Sequence, residues 1–144
     1  MQTKTKIAAD GSDAQADVTD HVAVRIDHPL LARPLIVTAQ AAPKTMTWKQ
    51  AAKWAESLDL CGWSWRLPTV EEAFMIPDRS RYPAIDSAWF PDFDRKRYEW
   101  IWTSTPDADA PAGFAWYVYL GSGDSDRSLQ GYRGHVRAVR AGQF

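Results

Sequence analysis

The chain has 144 residues, of which 45% are hydrophobic, and this composition suits one globular domain with one ordinary core. Its formal net charge of −1 gives no electrostatic basis for nucleic-acid binding. Residues 1–20 lack the apolar segment of a secretory signal, and no apolar run reaches the ~18 residues of a membrane span. We therefore expect cytoplasmic synthesis and no membrane insertion. Cys61 is the only cysteine, which rules out a disulfide within the chain.

The N-terminal quarter predicts a polar segment followed by two strands. Residues 1–20 are polar and aperiodic, which is typical of a tail or of an arm that orders only on a partner. Val22, Val24 and Ile26 lie on one face of an alternating segment, which predicts a strand. Residues 35–38 are a second β-like run.

Two capped helices flank a short aromatic segment in the middle of the chain. Thr47 and Gln50 have the spacing of a capping box, and they open a helix with an apolar face. Residues 63–69 contain two Trp, one Arg and one Pro, and they predict an extended, largely buried segment around which the other elements pack. Thr69 and Glu72 then form a second capping box.

The second half of the chain predicts a long ordered loop and a late antiparallel sheet. Residues 78–97 show little periodicity but contain several aromatic residues and prolines. Strands are predicted at residues 99–104, 114–120 and 135–140, with a bulge or an early end in the last of them. Residues 121–134 are predicted to be a polar loop. The order of the elements predicts an α+β fold with two helices.

Within the strand at residues 114–120, alternation predicts two different faces. Tyr117 and Tyr119 lie on one face, and four apolar side chains lie on the other. These four are Phe114, Trp116, Val118 and Leu120.

Short motifs along residues 46–140 resemble one known family. They are Met46-Thr47-Trp48, Trp65-Arg66-Leu67-Pro68-Thr69, Glu71-Glu72, Pro83-Ala84-Ile85-Asp86, Trp89-Phe90-Pro91, Trp102-Thr103-Ser104-Thr105, Ala115-Trp116-Tyr117-Val118 and Val136-Arg137-Ala138-Val139-Arg140. Their order and spacing resemble the Lcl C-terminal-domain-like family, a bacterial and phage domain of uncertain function with a C-type-lectin-like fold. Family members often carry one cysteine in the first helix and another in the last strand. Trp54 and Ala138 stand in those places, so the resemblance implies that the family disulfide is absent.

The resemblance implies that N- and C-terminal strands pair and that the late loops form one exposed, ligand-binding face. It divides the chain into residues 1–40, an N-terminal arm with strands and a candidate docking or oligomerisation segment, and residues 41–144, the C-type-lectin-like domain. Proteins of this fold that retroelements diversify vary just before the C-terminus. Residues 121–133 occupy the corresponding place and are a candidate variable loop. The alternative is a plain solvated hairpin loop.

We therefore expect a non-enzymatic binding module for a protein or glycan receptor on a cell surface, as part of a homo-oligomer or a larger assembly. A virion-surface protein of a phage or a retroelement-diversified variable protein fits this expectation. The alternative is a structural subunit that decorates a virion and has no soluble ligand. The candidate ligand-binding residues offer adaptable hydrogen bonds together with Tyr and Arg anchors. They are Tyr117, Tyr119, Ser122, Asp124, Ser125, Asp126, Arg127, Ser128, Gln130, Tyr132 and Arg133.

The sequence favours neither catalysis nor a cofactor. The three histidines are scattered without metal-ligand spacing, and Cys61 has no neighbouring base that would make it a nucleophile. A relationship to formylglycine-generating enzymes of the same fold is therefore the least favoured reading. Residues 121–126 place two carboxylates in a Gly-rich loop, but Ca²⁺ needs six to eight oxygen ligands, so no metal site is predicted.

Charged residues in the family motifs predict one buried ion pair. Arg66 and Asp86 both lie in framework motifs, and pairing would offset the cost of burying either charge. Arg66→Ala is therefore expected to lower the melting temperature. Asp107 and Asp109 are predicted to be solvated turn residues.

Overall fold

The structure is a computed structural model that describes residues 2–93 and 99–142. Within those ranges the chain forms eight strands and two helices, which confirms the predicted α+β class. In chain order they are β1 (Thr3–Ile7), β2 (Asp13–Ala14), β3 (Ala23–Asp27), β4 (Leu35–Thr38), α1 (Trp48–Ser57), α2 (Val70–Ala73), β5 (Trp100–Pro106), β6 (Phe114–Tyr119), β7 (Ser125–Leu129) and β8 (Val139–Ala141).

The first sheet is antiparallel and has the strand order β2-β1-β3-β4-β8. β1 pairs with β3 over five residues, so the expectation of an unstructured tail is wrong. The two lysines of β1 obscured the strand because each looks solvated in the sequence. Instead, Lys6 is buried and its ammonium group donates to the carbonyls of Ala16 and Val18 at 2.7 and 2.6 Å. Strands from both sides of the predicted boundary at residue 40 share this sheet, and the docking role of residues 1–40 stays a prediction.

The second sheet is antiparallel and has the order β5-β6-β7. The predicted polar loop at residues 121–134 is therefore wrong in part, because it contains β7. β7 lies at the edge of the sheet, and three of its five side chains are exposed, which suits its polar sequence. The last strand is Val139–Ala141, so the prediction of a strand that starts at residue 135 with a bulge or an early end is wrong, while Gly134 and His135 make isolated bridges to Met46 and Ile101.

Both predicted capping boxes are present. In α1, the Gln50 amide donates to the Thr47 hydroxyl at 3.4 Å, and the Thr47 amide donates to the Gln50 side chain at 3.1 Å. In α2, Thr69 and Glu72 make the same reciprocal pair at 3.2 and 2.8 Å. Each box satisfies amides that the first helical turn leaves unpaired.

The aromatic segment at residues 63–69 joins the helices to the first sheet. Trp65, Leu67 and Pro68 are buried, whereas Arg66 is exposed. The backbone of Arg66 exchanges two hydrogen bonds with Val139 in β8, at 3.0 and 2.8 Å. Its role as the segment around which the other elements pack stays a prediction.

Two hydrophobic clusters cover opposite faces of the first sheet. Val24 and Val37 belong to the cluster that also contains residues of β5, β6 and α2, whereas Ala23 and Ile36 belong to the cluster around α1. Trp54 and Ala138, which stand where relatives carry cysteines, both contribute to the α1 cluster.

The loop predicted after α2 is ordered and contributes to the core. Residues 78–93 place Ile85 and Phe90 in the cluster shared by the two sheets. Residues 94–97 of this predicted loop lie outside the described residues.

Candidate ligand-binding site

A cavity of about 340 Å³ opens where β6 ends. Aromatic rings and carboxylates share its wall, together with the small residues of the turn that follows β6. The lining residues are Tyr82, Pro83, Phe93, Glu99, Tyr119, Gly121, Ser122 and Asp124.

A tight turn after β6 holds one side of this cavity. The Gly123 amide donates to the Tyr119 carbonyl at 2.7 Å, and the Tyr119 amide donates to the Asp124 carbonyl at the same distance. Gly123 has a φ of 81°, and a Cβ at this position would lie 3.0 Å from the Arg79 guanidinium, so any other residue would be strained in its backbone and crowded against Arg79. The Ser122 hydroxyl donates to the Asp124 carboxylate at 3.2 Å. These bonds fix Ser122 and Asp124 at the rim.

The opposite wall contains Glu99, which belongs to a buried charge network. The Arg137 guanidinium is fully buried, and its Nε and Nη2 donate to the Glu99 carboxylate at 2.7 and 3.1 Å. Its Nη2 also donates to Asp92 at 2.8 Å, and its Nη1 donates to the carbonyl of Ala39 at 2.8 Å. Burial lowers the pKa of Arg137, but Glu99 and Asp92 outweigh burial, so its pKa lies above the ordinary value. One guanidinium and two carboxylates give this network a formal charge of −1.

An aromatic row runs across the second sheet toward the cavity. Ring centroids lie 4.6 Å apart for Trp100 and Tyr117, and 5.3 Å apart for Tyr117 and Tyr119. All three side chains are half-buried. Burial, the hydrogen bond to Tyr119 and the charge of Asp126 raise the pKa of Tyr117 to about 12, so its hydroxyl is neutral at physiological pH.

Five of the predicted site residues lie at or beside this cavity. Tyr119, Ser122 and Asp124 line it. Tyr117 contacts Tyr119 in the aromatic row, and Asp126 is the cross-strand partner of Tyr117. These five of the eleven predicted residues therefore lie close together in the structure.

Other predicted site residues are bound to the framework. Arg127 donates to the Asp107 carboxylate at 2.8 Å, and Asp107 is buried, so its prediction as a solvated turn residue is wrong. The Gln130 side chain donates to the carbonyls of Pro111 and Phe114 at 3.0 and 3.1 Å. The Arg133 guanidinium donates to the Thr45 carbonyl at 2.5 Å.

The remaining predicted site residues differ in exposure. Ser125 and Ser128 are half-buried in β7. Tyr132 is 61% exposed and lies beyond the end of that strand. Asp109, by contrast with Asp107, is the exposed turn residue that was predicted.

Sequence reasoning missed Tyr82, Phe93 and Glu99 as parts of one site. They come from two segments far from residues 121–124, and no spacing rule connects them.

The predicted pairing of Arg66 with Asp86 is also wrong. Arg66 instead binds Glu72 at 2.6 Å. Asp86 lies 3.3 Å from Arg81.

The residues that the structure describes contain no group of three or more His, Cys, Asp or Glu side chains suited to a metal ion. In the same part of the chain, no helix has the length and apolar character needed to cross a membrane.

The fold and the cavity together define a class: an α+β domain of two antiparallel sheets with an aromatic-lined cavity at the end of β6. The family model for the Lcl C-terminal domain matches residues 23–140. This chain therefore belongs to the Lcl C-terminal domain family. The match begins at β3, so the family domain includes residues 23–40, which precede the predicted boundary at residue 40 and all the motifs that carry the resemblance. The comparison with curated proteins gives no significant match.

Proposed function

We propose that this protein is a non-enzymatic binding module that recognises a protein or glycan receptor on a cell surface through the cavity at the end of β6. The observation that carries the proposal is the continuity between the aromatic row and the cavity, since Tyr119 belongs to both. Aromatic anchors beside convergent polar groups are typical of recognition sites. The C-type-lectin-like fold, which the family resemblance implies, is part of the same proposal.

Binding of the purified full chain to a glycan array and to a panel of bacterial cells tests this function. We expect Tyr119→Ala to reduce binding by at least about tenfold, because truncating an aromatic anchor commonly costs 2 kcal/mol or more. Leu30→Ala is the matched control, since Leu30 is 77% exposed and does not line the cavity. Equal loss in both variants, or no binding to any surface, would contradict the proposal.

We also propose that the protein acts on a virion surface and that retroelement diversification alters residues 121–133. Contacts within this stretch sharpen that proposal. Ser122, Asp124 and Tyr132 are exposed, whereas Arg127 and Gln130 bind the framework. Sequencing of codons 113–140 in a propagated population should find substitutions at the exposed group and constant residues at the framework group. An even, low substitution rate would contradict diversification.

A structural or assembly role is the second candidate, and one observation favours it. β7 is an edge strand, and edge strands present unpaired backbone groups to which a second chain can add a strand. Light scattering on the full chain tests this role. A stable oligomer without any receptor binding would favour assembly over recognition.

A further inference from the structure

Arg79 joins the end of α2 to the turn that follows β6, although it does not line the cavity. Its Nη2 donates to the Gly123 carbonyl at 2.9 Å, and its Nη1 donates to the carbonyl of Phe74, which caps α2, at 2.5 Å. The guanidinium also lies over the Phe74 ring, 5.6 Å from its centroid. Hydrogen bonds from a charged donor are stronger than those between neutral groups, so this one side chain makes a substantial link between two separate segments.

The Arg79 guanidinium packs directly against the backbone of Gly123. A Cβ on Gly123 would lie 3.0 Å from both Nε and Nη2 of Arg79, and 3.1 Å from its Cζ. Gly123 is buried, whereas Ser122 and Asp124 on either side of it are exposed. The guanidinium therefore occupies the space that a side chain of residue 123 would need.

The loop that carries Arg79 binds the same turn at a second point. The Ala84 amide donates to the Gly121 carbonyl at 3.0 Å, and the Asp78 amide donates to the Ala84 carbonyl at 2.7 Å. The Asp78 carboxylate accepts from the amide and the hydroxyl of Ser80, at 3.0 and 2.6 Å, which fixes the backbone on both sides of Arg79. The loop and the turn are therefore connected by the Ala84 amide and by the Arg79 side chain.

We propose that Arg79 is a positioning residue of the cavity, in a role that rests on the proposed binding function. The loop supplies Tyr82 to the cavity, and the turn supplies Ser122 and Asp124. By binding the Gly123 carbonyl, Arg79 keeps Ser122 and Asp124 in one arrangement relative to Tyr82. A site that is already ordered loses less conformational entropy when a ligand binds, so Arg79 raises affinity without touching the ligand.

Hydrogen exchange of the full chain in Arg79→Met tests this role without any ligand. Methionine keeps a long side chain but removes both donors. The amides of Tyr119 and Gly123 report on the turn, since they donate to the Asp124 and Tyr119 carbonyls at 2.7 Å. We expect these two amides to exchange at least about tenfold faster than in wild type, which corresponds to about 1.4 kcal/mol at 25 °C, while amides of β3 and β4 keep their wild-type rates. An equal rise at all amides would mean a general stabilising role and would overturn the proposal, as would unchanged exchange at the turn.

Two further variants assign the effect to the guanidinium of Arg79. Arg81→Met is the matched control, because Arg81 lies in the same loop, pairs with Asp86 at 3.3 Å and does not line the cavity. We expect wild-type exchange at the turn in this control. Arg79→Lys is the conservative variant, since an ammonium group can still donate to the Gly123 carbonyl but lacks the planar fork of a guanidinium. Its turn amides should exchange at rates between those of wild type and Arg79→Met. Equal rates in Arg79→Lys and Arg79→Met, or faster exchange at the turn in Arg81→Met, would contradict the proposal.

Binding measurements connect the order of the turn to the site. On the bacterial cells that bind the wild-type chain, we expect Arg79→Met to weaken binding about threefold to tenfold and Arg81→Met to leave it unchanged. A loosened turn with undiminished binding would overturn the positioning role. If no surface binds the wild-type chain, the proposed function fails, whereas the exchange rates still decide whether Arg79 holds the turn. The two failures are therefore distinguishable.

Discussion

Two arginines of the family motifs differ in almost every physical respect. Arg137 is fully buried and joins three segments, because it contacts Glu99, Asp92 and the carbonyls at the end of β4. The Arg66 side chain is 45% exposed and binds Glu72, which is only six residues away. Both look alike in the sequence, so the comparison shows that burial, not residue type, decides what a charge contributes.

Burial determines how much stability the protein loses when one partner of an ion pair is removed. A buried guanidinium has lost its water, so its stability depends on every partner that replaces that water. A half-exposed pair keeps much of its hydration and contributes about 1 kcal/mol or less. The two sites therefore predict different responses to the same kind of substitution.

The largest expected effect follows from removing the buried charge. Arg137→Met leaves Glu99 buried without its cation, and breaking a buried pair in this way costs about 3–5 kcal/mol. For a domain of this size, that loss lowers Tm by about 10 °C or more. Thermal unfolding followed by circular dichroism measures it.

A double variant separates the lost contact from the unpaired charge. Arg137→Met with Glu99→Gln removes the buried carboxylate of the pair and leaves only Asp92, whose side chain is 34% exposed, so we expect it to recover part of the lost stability. If Arg137→Met lost no more stability than a substitution at the surface, the ion pairs of Arg137 would not be what holds these segments together.

The intermediate effect belongs to Arg66. Arg66→Ala removes two hydrogen bonds to Glu72, at 2.6 and 2.8 Å, and we expect a loss of about 0.5–1 kcal/mol at pH 7. Glu72→Gln is the matched variant, because glutamine keeps the capping bond to the Thr69 amide but loses the charge. Chemical denaturation at several pH values measures both.

The pH dependence of this pair follows from the pKa of Glu72. Burial raises the pKa of Glu72, but the bonds from Arg66 and the Thr69 amide outweigh burial, so its pKa lies below the ordinary value of 4.5. A depressed carboxyl pKa contributes stability that is fully present above the unfolded value and is lost as pH falls through the folded value. The difference between wild type and Glu72→Gln should therefore shrink below about pH 4.5. A constant difference would contradict the ion pair.

The distance along the chain between interacting residues explains which parts of the structure could be predicted from the sequence. The capping boxes of Thr47 and Thr69 depend on residues three positions apart, so the sequence shows them directly. The alternation in β6 likewise predicted that Tyr117 and Tyr119 share a face, and their rings are in contact. These predictions depend only on the spacing of residues within one helix or one strand.

Pairing between distant segments could not be predicted in the same way. Glu99 and Arg137 are 38 positions apart, and nothing in their neighbourhoods indicates that they meet. β7 was missed because an edge strand needs no apolar face, and β1 was missed because Lys6 finds buried carbonyls instead of water. The candidate site was therefore predicted only on the side formed by the turn after β6.

The smallest expected effect comes from an exposed pair on the first sheet. Arg25 and Asp13 lie 2.7 Å apart, but the Asp13 side chain is 61% exposed. Arg25→Gln should cost about 0.5 kcal/mol or less in low salt and still less in high salt, since an exposed pair is screened over a Debye length of about 10 Å at 0.1 M. Denaturation at two salt concentrations measures the difference. A loss of stability as large as that of Arg137→Met would mean that the β1–β2 hairpin depends on this pair. Exposure would then no longer predict how much each arginine of this domain contributes to stability.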